Sequence, residues 1–245
     1  MASSFRRLIP PGPDSGALAA LADWRERPAP AGRPRLALNM VESVDGRAAI
    51  NGRSAPLSSP ADRELFHALR ANADAVMAGA STVRTERYGP TVRDSEMRER
   101  RRSWGLSPQP PAVIVSRSLD LDPGLPLLAD PESHVIVIGP TSGAIEGARA
   151  PIDYIRCDTL SESLAELRAR FEIRLVICEG GPTLAALLAR EGLVDELFLA
   201  ISPQLVGGDP GLTIVSAGGS AEPKRLRLEL LLSHDDELYA HYVFA

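Results

Sequence analysis

The chain has 245 residues, 44% of them hydrophobic, and a formal net charge of -5. That length suits one generous domain or two small ones, with enough apolar residues for a sizeable core. The acidic balance argues against a general nucleic-acid binder and leaves a bound nucleotide open. Cys157 and Cys178 are the only cysteines, so buried free thiols are expected, and neither a disulfide framework nor a metal site is. No apolar run approaches the about 18 residues of a membrane span. The first 34 residues hold Arg6 and Arg7 but no apolar core of a secretory leader. The expectation is a cytoplasmic protein with neither a membrane nor a nucleic acid as partner.

Residues 1–34 read as an N-terminal arm. A short helix is expected over 18–27, with Leu18, Leu21 and Trp24 on one side, stopped by Pro28, Pro30 and Pro34. The arm packs on the main domain or on a partner, or stays partly disordered. Residues 35–245 read as one domain without an internal linker. A strand over 35–41 leads to Ser43-Val44-Asp45-Gly46-Arg47 and a turn at Asn51-Gly52. Ser59, Pro60 and Asp62 then supply an N-cap, a first-position proline and a first-turn acid. The helix they open runs to about Asn72, with Leu65, Phe66 and Leu69 facing the core. A strand over 75–78 ends in a turn, Gly79-Ala80-Ser81-Thr82. Residues 94–111 interleave Arg98, Arg100, Arg101 and Arg102 with Glu96 and Glu99. They form a solvated surface excursion or a basic flap over an acidic substrate.

Further strands are expected over 112–116, 134–138 and 152–156, then a helix over 160–171 carrying Leu164 and Leu167. A strand over 174–178, a helix opened by Pro182 and a strand over 195–201 follow. Runs 227–233 and 237–244 form an antiparallel hairpin about His234-Asp235-Asp236. The sum is an α/β fold of three layers, a mostly parallel sheet with an antiparallel C-terminal edge.

The chemistry gathers at RLVICEGGPTLAALLA, residues 174–189. Gly180 and Gly181 keep side chains off the backbone, and Pro182 wastes no N–H at the first helical position. The free amides of that turn, with the Thr183 hydroxyl, make a seat for a phosphate, or the glycines only permit close strand–helix packing. Glu179 stands at the strand's carboxyl end, where open α/β sheets place ligands, and can hydrogen-bond a nitrogenous ring. Gly79 and Thr82 mark a second junction of this kind, so the two could hold the two ends of a dinucleotide. G-x-G-x-x-G, the phosphate-loop pattern, H-E-x-x-H and G-x-S-x-G are all absent. His67, His134, His234 and His241 have no metal-ligand spacing and read as structural or surface residues. Asp45 could cap its own backbone, and Asp195 reads as a structural cap. Arg70 suits a helix C-terminus, with a ligand role equally open. Nothing nominates a nucleophile, and a dinucleotide without one points to hydride transfer.

Three stretches carry a family resemblance: NMVESVDGRAAINGRS, LSSPADRELFHALRANADAVMAGASTVRTERYGPTVR and VICEGGPTLAALLAREGLVDELFLAISPQLVGG. In this order and spacing they resemble the reductase domain at the C-terminus of RibD, which has a dihydrofolate-reductase-like fold. The resemblance implies substrate contacts from Ser54, Arg70, Arg93 and Glu179, in a site shared with Asn39, Asp45 and Arg47. Arg93 and Arg47 would hold a 5′-phosphate. It places Thr82, Glu86 and the run Gly181, Pro182, Thr183, Leu184 on the NADPH side, together with Pro56, Ser58, Gly79 and Gly180. The implied reaction is NADPH-dependent reduction of 5-amino-6-(5-phosphoribosylamino)uracil to the ribitylamino form, in riboflavin synthesis, by a homodimer. No zinc deaminase motif is present, so deamination is not expected. Pro56-Leu57-Ser58 replaces the Trp-Ile-Thr of many members, and Glu86-Arg87-Tyr88 the usual Asp-Asn-Pro. Those changes resemble stand-alone actinobacterial members, some of which look suited to a dihydrofolate-like substrate. A dihydrofolate or pterin reductase and a non-catalytic nucleotide-binding protein are the alternatives.

Overall fold

The computed structural model describes residues 3–208, 211–215 and 223–245. Its strands in chain order are β1 (Arg6–Ile9), β2 (Arg35–Ser43), β3 (Ala75–Gly79), β4 (Ala112–Val115), β5 (Val135–Ile138), β6 (Ile152–Ile155), β7 (Leu175–Cys178), β8 (Glu196–Ser202), β9 (Leu226–His234) and β10 (Glu237–Phe244). The helices are α1 (Ala17–Ala20), α2 (Pro60–Asn72), α3 (Ala80–Thr85), α4 (Ser95–Ser103), α5 (Leu160–Phe171) and α6 (Pro182–Arg190). All the strands join one sheet in the order β1-β9-β10-β8-β2-β7-β3-β4-β5-β6. From β8 to β6 neighbours run parallel, whereas β10, β9 and β1 add an antiparallel edge.

Alternation along the central strands sorts side chains to the two faces. Leu36, Leu38, Val176 and Cys178 pack with Leu164 and Leu167 of α5 and Leu184 and Leu188 of α6. Their neighbours Ala37, Leu175 and Ile177 turn the other way, against Ala61, Leu65 and Leu69 of α2. Strands covered on both faces read as continuous apolar runs, which is why LVIC and VIVI are buried throughout. The three-layer, mostly parallel sheet with an antiparallel edge therefore stands as the pattern predicts.

Several segments differ from the sequence pattern because partners distant in the chain hold them. The segment read as an arm supplies β1, which pairs with β9, and it buries Phe5, Leu21 and Trp24 in the core beside α2. Only Ala17–Ala20 is helical there, not 18–27. Beyond it the chain unwinds into turns that let the Trp24 indole donate to the buried Glu196 carboxylate at 2.5 Å. A buried indole N–H needs such a partner, and the bond outweighs one more helical turn. The expected turn after β3 is helix α3, with Gly79 as its N-cap. The arginine-rich segment holds α4, capped by Asp94, and Arg101 on it is buried rather than solvated. Its guanidinium donates to the carbonyls of Ala71 at 2.9 Å, Ala73 at 2.5 Å and Ser107 at 2.7 Å. Arg101 thus satisfies carbonyls that the end of α2 leaves without helical partners. Burial pulls its pKa down to about 10, so the charge is kept.

Chain order and spatial order part company at the centre of the sheet. The chain leaves β2 for β3 and the strands beyond, then returns to β7 between them. The carboxyl ends of β2, β7 and β3 therefore form a switch point, where such sheets open a crevice.

Candidate active site

At that switch point the two glycine junctions are stitched together. The Gly79 amide donates to the Gly180 carbonyl at 2.8 Å, and the Glu179 amide to the Met77 carbonyl at 2.8 Å. Gly180 has a φ of +87°, which glycine adopts without strain, and a Cβ there would lie 3.2 Å from the Met40 Cε. A Cβ on Gly181 would lie 2.8 Å from the Thr82 hydroxyl oxygen. Gly181 is also the N-cap of α6 and lends that helix no side-chain hydrogen bond. The first amides of α6 are thus left for another acceptor.

A cavity of about 950 Å³ opens against this turn. Of the residues expected in a site, it brings together Asn39, Ser54, Ser58, Arg70, Thr82, Glu86, Arg93, Glu179, Gly181 and Pro182. Gly79 and Gly180 stand behind that wall, Leu184 is buried in the core, and Thr183 is exposed at the start of α6. Asp45, Arg47 and Pro56 do not line the cavity. Asp45 accepts from the Ser43 hydroxyl at 2.5 Å and from the amides of Val206 at 3.1 Å and Gly207 at 2.7 Å. Those bonds, the Ser43 hydroxyl foremost, hold its carboxyl down to about 2. Arg47 donates to the Gly208 carbonyl at 2.8 Å, and the Pro56 carbonyl accepts from Gln204 at 3.0 Å. In this structure the three tie the 204–208 loop to the segment after β2.

The cavity floor is an ion pair. Arg70 donates to both Glu179 oxygens, Nε to Oε1 at 2.6 Å and Nη2 to Oε2 at 2.7 Å. The Tyr88 hydroxyl donates to Oε2 at 2.6 Å, and Arg70 Nη1 reaches the Thr91 carbonyl at 3.1 Å. The guanidinium lies 4.2 Å from the Phe66 ring centroid. Burial works against the Arg70 charge, yet Glu179 beside it raises its pKa above the ordinary value. Burial and the Glu179 carboxylate push the Tyr88 hydroxyl well up, so it keeps its proton and acts as a donor. His67 is held below its usual pKa by burial and by Arg70, so it is neutral at pH 7. Arg93 differs: it is exposed, it makes no ion pair among the described residues, and its Nη2 occupies space that a Cβ on Gly89 would enter at 2.5 Å. Asp62 also lines the cavity, and burial drives its carboxyl up to about 6.

Residues 34–237 match the family described as the RibD C-terminal domain. The chain belongs to that family. This RibD-family domain is 29% identical over 204 residues to the 2,5-diamino-6-ribosylamino-4(3H)-pyrimidinone 5′-phosphate reductase of Archaeoglobus fulgidus, across 80% of the chain and 92% of that relative. It is 30% identical over 178 residues to the riboflavin biosynthesis protein RibD of Mycobacterium tuberculosis, covering 72% of the chain but 44% of that longer protein. Among solved structures, a pyrimidine reductase-like protein of Corynebacterium diphtheriae superposes with a TM-score of 0.73 at 25% identity, covering 86% of the chain and 92% of that structure. RibD of Acinetobacter baumannii does so with a TM-score of 0.74 at 26% identity, covering 88% of the chain and 59% of that structure. The fold of this RibD-family domain is thus dihydrofolate-reductase-like, in a family of oxidoreductases. Among the described residues no helix is long and apolar enough to cross a membrane, and no cluster suited to a metal ion occurs.

Sequence reasoning missed Tyr88, Phe66 and Asp62 as parts of this site. In the sequence Asp62 reads only as a first-turn acid, with Ser59 as the cap, and Ser59 accepts from the Asp62 amide at 3.0 Å. Phe66, expected in the core, instead lies under the Arg70 guanidinium.

Proposed function

We propose that this chain catalyses the NADPH-dependent reduction of 5-amino-6-(5-phosphoribosylamino)uracil to its ribitylamino form, a step of riboflavin synthesis. The observation that carries this reading is one cavity holding the Arg70–Glu179 floor, the exposed Arg93 and the Thr82–Gly181 turn. The turn fits a diphosphate: side chains are missing where a Cβ would collide, a hydroxyl lies alongside, and the amides of Thr183 and Leu184 open an uncapped helix. When bound, NADPH supplies the hydride.

The chain's own residues do the rest. Arg93 takes the 5′-phosphate of the substrate through charge-assisted bonds, and no carboxylate among the described residues pairs with it. Glu179 Oε1 accepts one bond from Arg70 and keeps a lone pair for a ring N–H of the pyrimidine. Tyr88 and Arg70 fix that carboxylate in one orientation, which orders the site before substrate arrives. The relatives of Archaeoglobus fulgidus and Methanothermobacter thermautotrophicus, both 2,5-diamino-6-ribosylamino-4(3H)-pyrimidinone 5′-phosphate reductases, support the substrate class. A cytoplasmic homodimer belongs to the same reading, and sedimentation of the purified chain as a monomer would remove that part.

The test is NADPH oxidation by one enzyme preparation, comparing the ribosylaminopyrimidine phosphate with dihydrofolate. Faster turnover of the pyrimidine is expected. Faster turnover of dihydrofolate would replace this reading with a pterin reductase, and NADPH binding without turnover of either would mean a nucleotide-binding protein.

A further inference from the structure

Reduction of a carbon–nitrogen double bond adds a hydride to carbon and a proton to nitrogen. A site built for it gains from a side chain that carries a proton close to neutral pH. Resting on the reductase reading above, we propose that Asp62 is this donor, its carboxyl passing a proton to the acceptor nitrogen while the adjacent carbon takes the hydride.

The other ionisable groups on the cavity wall are ill suited. Arg63, Arg70, Arg87 and Arg93 carry guanidinium groups, which suit anion binding and not proton donation. Glu179 is engaged by two bonds from Arg70 and one from Tyr88, and the Tyr88 proton is committed to that carboxylate. His67 is neutral. Asp94 is spent as the N-cap of α4, and Glu86 accepts from the Ser54 amide at 3.4 Å.

Asp62 is placed differently. It sits in the first turn of α2, lines the main cavity beside Asn39 and Phe66, and has no capping duty, because Ser59 caps the helix. One oxygen, Oδ2, accepts from the Ser58 hydroxyl, and Oδ1 has no hydrogen bond among the described residues. From β10, Glu237 faces it with a carboxylate held by the hydroxyls of Ser59 and Tyr239. His241 of the same strand shares a small pocket with it, and Arg63 follows it on α2. Burial, foremost, raises the Asp62 carboxyl to about 6 against the opposing Ser58 hydrogen bond, with Glu237 adding a smaller upward push and Arg63 a smaller downward one. A helix N-terminus favours the ionised form, so a carboxyl kept protonated there is held against the dipole.

The step balances simply. The carboxyl O–H bond breaks, an N–H bond forms, the C=N π pair becomes the nitrogen's bond to that proton, and the carboxylate left behind regains a proton from solvent. The same chemistry serves the imine of an opened ribosylamine and the C=N of a dihydropterin ring, and the two substrates tell these sources apart.

The experiment compares wild type, Asp62→Asn and Asp62→Glu between pH 5 and 9, with whichever of the two substrates the wild type reduces. Wild-type kcat/KM should be level below pH 6 and fall about tenfold per unit above it, as the donor loses its proton. Asp62→Asn should lose roughly 100-fold and the pH dependence with it, Asp62→Glu should restore a sloping profile, and the Kd for NADPH should stay within about twofold. Independently of turnover, infrared difference titration of the ligand-free protein should show a carboxyl ionising near pH 6 that Asp62→Asn abolishes. Wild-type turnover with an unaltered Asp62→Asn profile, or an Asp62 carboxyl already ionised at pH 5, overturns this assignment alone. Wild-type failure on both substrates overturns the reductase reading and the assignment with it.

Discussion

Glu179→Gln probes the floor of the cavity. Arg70 and Glu179 expose only 10% and 3% of their side chains, so each holds the other's charge out of water. Glutamine keeps the shape but presents an NH₂ group to Arg70 or to Tyr88, so a donor meets a donor and the guanidinium is left without a counter-charge. Removing one partner of a buried pair typically costs about 3–5 kcal/mol. Two contacts soften the loss, the Thr91 carbonyl at 3.1 Å and the Phe66 ring at 4.2 Å, which places the expectation at the lower end, about 3 kcal/mol. For a domain of this size that lowers Tm by roughly 6–12 °C. Urea and thermal unfolding at pH 7 of wild type, Glu179→Gln, Arg70→Met and the double variant measure it. The double variant should recover about 2 kcal/mol of the summed single losses, because it leaves no buried charge unpaired. A single-variant loss below about 1 kcal/mol, or strictly additive losses, would mean that water screens the pair, and the reasoning fails.

Two further perturbations address the turn and the helix beside the site. Gly181→Ala suits its φ of -71° but drives a Cβ to 2.8 Å from the Thr82 hydroxyl. It should weaken NADPH binding by about tenfold or more, some 1.4 kcal/mol, with little change in Tm. Calorimetric titration giving a wild-type affinity would remove the turn from the cofactor site. Arg101→Met removes the donor shared by the carbonyls of Ala71, Ala73 and Ser107. Left buried without partners, they should lower stability by about 2–4 kcal/mol and speed hydrogen exchange through α4. Unchanged exchange there would show that α4 is held by other contacts.

The features legible in the amino-acid order are local or periodic. Continuous apolar runs marked β3, β4, β5 and β7 because both faces of those strands are covered. Ser59-Pro60 and Gly181-Pro182 marked the starts of α2 and α6 because capping is decided within one helical turn. The glycine junctions at Gly79 and Gly180 were legible for the same reason. Tertiary structure alone decided what those pieces do together. Arg70 and Glu179 are 109 positions apart and meet only because β7 returns between β2 and β3. Arg101 sits in a run as polar as any exposed helix, and its burial follows from the carbonyls that α2 leaves at its end. The arm's single turn of helix gives way to the Trp24–Glu196 bond, a partner 172 positions distant. Asp62 is written like any first-turn acid, and its raised proton affinity comes from burial and from Glu237 on β10. Burial of a charge, unlike a helix cap, depends on which distant segments close over it, and no local pattern in the chain records that.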